Sequence, residues 1–116
     1  MTSLVATHVF AGVPVSDYAA SRSWYERLLG RPPDVLPHDR EAVWQLAEGG
    51  LLYIVADAAN AGRSVVTLIV PDLAGELAAL DARGIASPSV EVIGDAARKA
   101  TLRDPDGNRI ALAQTT

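Results

Sequence analysis

Apolar residues along the chain fall into short runs of strand type and two segments of helical period, separated by small or polar stretches. Residues 4–15 carry Val5, Val9, Phe10, Val13 and Val15 among small residues and predict a strand. Asp17 then offers a carboxylate to the first free N–H groups of a helix over Tyr18–Leu29. Within it Ala20, Trp24 and Leu28 recur at i, i+4 and i+8 and predict the buried stripe. Gly30 fits the position just past the helix, and Pro32-Pro33 forbids its continuation. Residues 34–40 read as a polar loop, and 42–47 and 51–55 as strands joined by a turn at Gly49-Gly50. Residues 57–63 form a small-residue linker.

The second half repeats this order. Residues 64–70 predict a strand, Asp72 an N-cap, and 73–83 a helix with Leu73, Leu77 and Leu80 on one face, closed by Gly84. Strands follow at 89–93, 97–103 and 109–114, with Asp104-Pro105-Asp106-Gly107-Asn108 as a strong turn between the last two. Val15-Ser16-Asp17 recurs in pattern as Val70-Pro71-Asp72, an offset of 55 positions. Self-similarity at half the chain length predicts two modules of one architecture, about 1–60 and about 61–116, in a single domain.

Composition narrows the function classes. A length of 116 residues supports one domain with one core. With 49% hydrophobic and 21% charged residues the chain is not of disordered type. The absence of cysteine excludes disulfides, thiolate metal sites and Cys nucleophiles. A net charge of −4 argues against nucleic acid as partner and is compatible with a cationic ligand. No apolar run approaches the ~20 residues of a spanning helix. The first basic residue is Arg22, so a secretory n-region is not expected and a cytoplasmic location is. No glycine-rich phosphate loop and no nucleophile–base signature stand out.

Two stretches, FAGVPVSDYAASRSWYERLLG in the first half and LRDPDGNRIAL near the end, resemble the vicinal oxygen chelate superfamily of glyoxalases, bleomycin-resistance proteins and extradiol dioxygenases. The first matches the opening strand, capping Asp, aromatic pair and Leu-Gly helix ending, and the second the Asp-Pro-Asp-Gly-Asn hairpin. The resemblance implies an α+β fold of two βαβββ modules, whose mixed sheets curve around a cup with helices on the outer face. It also implies a ligand inside the cup and a homodimer.

Metal-dependent members carry a His or Gln seven residues before the capping Asp, where this chain has Phe10. The matching position in the second module is Val65, and the Glu expected four residues after the hairpin Gly is Ala111. The fourth position falls on Tyr53, or on Ile54 with a one-residue slip. A divalent metal needs several converging N or O donors, and the first three positions offer none. No metal, no cofactor and no catalytic residue is therefore expected.

The residues expected to line the cup are Phe10, Trp44, Tyr53, Val65, Thr67 and Ala111. Phe10 either closes the cavity or gives it an aromatic wall. Tyr53 alternates with Leu52 and Ile54 and would point into the cup, whereas the parity of Trp44 is ambiguous. Thr67 and Thr101 could present hydroxyls, and Arg98, Lys99 and Arg103 form a basic cluster that reads as a solvated face or as an anchor for an acidic ligand. His8 reads as an edge residue and His38 as a loop residue. The leading expectation is metal-independent binding of a small, aromatic or cationic molecule, as in bleomycin-resistance-type sequestration. The alternative is an enzyme of the superfamily with a displaced metal or metal-free chemistry.

Overall fold

The structure is a computed structural model describing residues 2–116. In the first half β1 (Val9–Val15) leads to α1 (Tyr18–Leu29), then β2 (Val35–His38), β3 (Glu41–Ala47) and β4 (Gly50–Ala56). After a single 3₁₀ turn at Ala58–Asn60 the order repeats as β5 (Val65–Ile69), α2 (Leu73–Ala82), β6 (Glu91–Ile93), β7 (Ala97–Arg103) and β8 (Arg109–Thr115). Two four-stranded sheets result, ordered β1-β4-β3-β2 and β5-β8-β7-β6. In each, the first strand pairs parallel with the last and the other pairs are antiparallel. This is the α+β architecture of two βαβββ modules.

The repeat extends to the caps. Asp17 accepts from the Ala20 N–H at 3.1 Å and Asp72 from the Gly75 N–H at 3.1 Å. Each carboxylate satisfies an N–H that the first helical turn leaves without an intrahelical partner. Gly30 ends α1 at φ 76°, a left-handed conformation that side chains disfavour.

Helix-facing residues of both sheets and the inner face of α2 meet in one core. Val13, Val15, Trp44, Leu52 and Ile54 of the first module join Leu73, Leu80, Leu102, Ile110 and Leu112 of the second. Burial at about 25 cal/mol per Å² makes this shared apolar surface the main term holding the modules together.

Three expectations need correction. The first strand begins at Val9, and Leu4 and Val5 before it are exposed, because β4 begins at Gly50, the partner of Val9. The polar loop over 34–40 contains β2, an exposed four-residue edge strand whose Val35 pairs with Val43. Pro37 hides it from pattern reading, yet proline is tolerated at a sheet edge, where an N–H is not required. The buried face of α1 runs through Ser21, Tyr25 and Leu28, leaving Trp24 half-buried beside it. Tyr25 wins the inward position because its hydroxyl finds a buried acceptor in the other module.

Candidate functional site

The pleat places alternate residues on opposite faces, so the face of each sheet away from the core is read from the register. In the first sheet one row across this face is Phe10, Leu51 and Gln45, and the next is Gly12, Tyr53, Val43 and Val35. Phe10 and Tyr53 stand 6.3 Å apart between ring centroids, tilted by 59°. That spacing is within the range of favourable aromatic pairs. Phe10 is 54% exposed and Tyr53 half-buried, so the pair offers ring surface to solvent. Gly12 opposes Tyr53, and a Cβ there would lie 2.5 Å from the Tyr53 Cζ and Oη atoms. The missing side chain lets the phenol ring lie down against the sheet.

The second sheet has three corresponding rows: Val65, Arg109 and Arg103; Thr67, Ala111 and Thr101; Ile69, Ala113, Lys99 and Glu91. Val65 is 59% exposed, Thr67 is exposed, and Ala111 is buried between its neighbours in the sheet. The structure thus groups Phe10 with Tyr53 on one sheet and Val65, Thr67 and Ala111 on the other.

Trp44, expected among the ligand contacts, is a core residue. It is 0% exposed and its indole N–H donates to the Arg31 carbonyl at 3.0 Å. Its register partner is Leu52, which faces α1, and this settles the parity that the apolar run 42–47 left open. His8 is exposed beside Thr7, with 3.0 Å between its Nδ1 and the Thr7 Oγ1. His38 lies on β2, where its Nδ1 accepts from the Arg40 N–H at 3.2 Å and its Nε2 approaches Glu41 at 3.3 Å.

A cavity of about 490 Å³ lies at the junction of the modules, where Val9, Ala11, Leu28, Leu46, Val66 and Leu68 line it and Glu76 adds a carboxylate. Of the six expected contact residues only Thr67 reaches it. The metal positions of the superfamily do not suit a cation here. Phe10 and Val65 are hydrocarbon, Ala111 is a methyl group, and among the described residues no three of His, Asp and Glu cluster. One phenol cannot replace a donor set.

The Asp104–Asn108 turn does more than reverse the chain. The Asp104 Oδ2 accepts from the Tyr25 hydroxyl at 2.8 Å and from the Asn108 side-chain amide at 2.8 Å. Its Oδ1 accepts from the N–H groups of Asp106 and Asn108, both at 2.9 Å. Asn108 is fully buried; its amide nitrogen also donates to the Pro14 carbonyl, and its Oδ1 accepts from the Gly62 and Ser64 N–H groups, each at 3.0 Å. Asp106 accepts from the backbone N–H and the hydroxyl of Ser16. Burial foremost, and then the Asp104 charge, raise the proton affinity of Tyr25 far above that of an ordinary phenol. These groups serve architecture: their hydrogen-bonding capacity is spent inside the protein.

No family model matches the chain, and no curated protein matches it. Among solved structures, the glyoxalase/bleomycin resistance protein from Catenulispora acidiphila DSM 44928 is 44% identical, with a TM-score of 0.90 over 96% of this chain and 100% of that one. TnmS3, an antibiotic binding protein from Streptomyces sp. CB03234, is 25% identical, with a TM-score of 0.74 over 100% and 99% of the two chains. A putative glyoxalase family protein from Bacillus anthracis, 17% identical with a TM-score of 0.76 over the whole of both chains, shares the fold. Identity of 44% across nearly the full length of both chains carries the relationship beyond a shared fold, and this chain belongs to the glyoxalase/bleomycin resistance family of the vicinal oxygen chelate superfamily.

Proposed function

We propose that this protein binds a small, partly aromatic molecule without a metal, against the sheet faces turned away from the core. Phe10, Tyr53, Val65, Thr67 and Ala111 form the contact surface, and a second copy of the chain completes the enclosure. The observation that carries the reading is Phe10 itself: a ring stands at a metal-donor position of the superfamily and pairs with Tyr53 at 6.3 Å on an open face. An aromatic ring there adds stacking surface and removes a ligand for a cation, so the position favours recognition over Lewis-acid chemistry. The description of TnmS3 as an antibiotic binding protein supports the same class of role. A homodimer fits the exposure of apolar side chains on β1 and β5, which end their sheets: Val9 is 68% and Ile69 63% exposed.

The test is a thermal-shift screen of planar aromatic molecules in the presence of chelator. A ligand at about 100 times its dissociation constant stabilises by about 2.7 kcal/mol, a readily visible shift. The expected hit survives chelation and weakens in Tyr53→Ala by the ring's stacking contribution, on the order of 1 kcal/mol or about fivefold in affinity. Binding that requires a stoichiometric metal ion would overturn the reading.

A further inference from the structure

The two open faces differ chemically, and the difference names a ligand class. Equivalent positions in the two modules are Leu51 and Arg109, each beside the strand residue that replaces a donor, and Tyr53 and Ala111 one row on. The first sheet therefore offers rings and the second offers cations.

Arg103 and Arg109 sit directly opposite each other in an antiparallel pair, both exposed. Like charges in this arrangement destabilise a sheet. Among the described residues the ion pairs are Arg22–Glu26, Arg31–Asp34 and His38–Glu41, so neither arginine has a carboxylate in direct contact. The neighbouring carboxylates are turned to other partners, Asp104 to Tyr25 and Asn108 and Asp106 to Ser16, which leaves the arginines' N–H groups free for a ligand. Lys99, in contrast, has Glu91 opposite it, so the excess positive charge lies in the row that also holds Val65. The adjacent row sets two hydroxyls, Thr67 and Thr101, either side of the small Ala111. A planar body can approach over Ala111 with Thr67 and Thr101 on either side and Arg103 and Arg109 in the next row.

We infer that the ligand is an aromatic acid, with Arg103 and Arg109 holding its carboxylate. The inference rests on the binding role proposed above and reverses the sign that the acidic net charge suggested. Two arginines at opposed register positions can bring forked N–H donors to one carboxylate, and the bound anion relieves the repulsion between them.

The experiment is calorimetric titration of the intact protein with 2-naphthoic acid and with 2-naphthamide, which share a ring system and differ in charge. The wild-type protein is expected to bind the acid about tenfold more tightly than the amide, with the preference shrinking at high salt. An Arg103→Gln/Arg109→Gln variant is expected to lose that preference, its affinity for the acid falling to that for the amide. Both positions are exposed, and removing the repulsion leaves the unliganded variant melting no lower than wild type, which reports its folding. Equal binding of acid and amide by wild type would overturn the aromatic-acid assignment and leave the binding role standing. Retention of the acid preference in the variant would overturn the arginine clamp. Binding of neither probe would overturn the assignment together with the binding role.

Discussion

Gly12 controls where the Tyr53 ring lies. An alanine methyl at this position would sit 2.5 Å from the end of the phenol, a distance that real contacts do not tolerate. Tyr53 is half-buried, so its ring can swing outward, and Gly12→Ala is expected to cost under about 1 kcal/mol of stability. The ring cannot stay beside Phe10, however. Cross-relaxation between the Phe10 and Tyr53 ring protons, expected in wild type, should weaken sharply in the variant, and aromatic ligands should bind less tightly. Unchanged ring contacts would show that the phenol does not rest on Gly12. That Phe10 and Tyr53 share the outward face of the first sheet is legible from strand alternation. The side taken by Trp44 is not legible, because residues 42–47 carry large apolar residues on both faces; its register against Leu52 and the bond from its indole to the Arg31 carbonyl, 13 positions away, place it in the core. Alternation puts Arg109 on the same face as Ala111, but its opposition to Arg103 depends on the register of β7 against β8, which one strand's pattern does not carry.

Elements with punctuation at both ends were read from the sequence almost to the residue. The helix Tyr18–Leu29 has a capping Asp before it and a left-handed Gly after it, and β7 stops at the turn Asp104–Asn108. Periodicity alone weighs Trp24 above Tyr25 on the inner face of α1, and the acceptor that decides for Tyr25, Asp104, lies 79 positions later. That bond has a pH signature. Burial and the Asp104 charge hold the proton on Tyr25 above the pH at which an ordinary phenol, near 10.0, releases it. The folded state then binds one proton more than the unfolded state at alkaline pH. Stability from this group is fully present below about pH 10 and falls as pH rises further, by up to about 1.4 kcal/mol per pH unit. Tyr25→Phe should lower stability at neutral pH by about 1–3 kcal/mol, because Asp104 loses a donor, and should flatten the alkaline fall. Urea midpoints for both proteins from neutral pH to above pH 10 test this. Parallel curves for the two proteins would place the alkaline transition elsewhere.

At the level of the whole molecule, duplication made the fold legible. Two weak patterns in the same order, offset by 55 positions, predicted the paired βαβββ modules better than any strand taken alone. Assembly is the matching prediction. The edge strands β1 and β5 carry exposed Val9, Phe10, Val65 and Ile69, and unpaired apolar edges favour association. Sedimentation equilibrium at micromolar concentration should give twice the chain mass, and a monomer would argue against a shared enclosure.

Asn108 also bears on the order in which the chain assembles. Its bond to Asp104 closes a loop of 4 positions, while its bond to Pro14 closes one of 94. Closure entropy grows by about 0.6 kcal/mol per doubling, and about 4.5 doublings separate the two, so the second contact costs roughly 2.7 kcal/mol more to bring together. Local pairing in β7–β8 and β3–β4 carries no such penalty, and each module can gather its own sheet first. During synthesis the β1–β4 pair is available once residue 56 has emerged, yet Asn108, whose side chain seals β1 to the other half, arrives only with the turn between β7 and β8. The seam of the first half therefore stays open until that turn has been made.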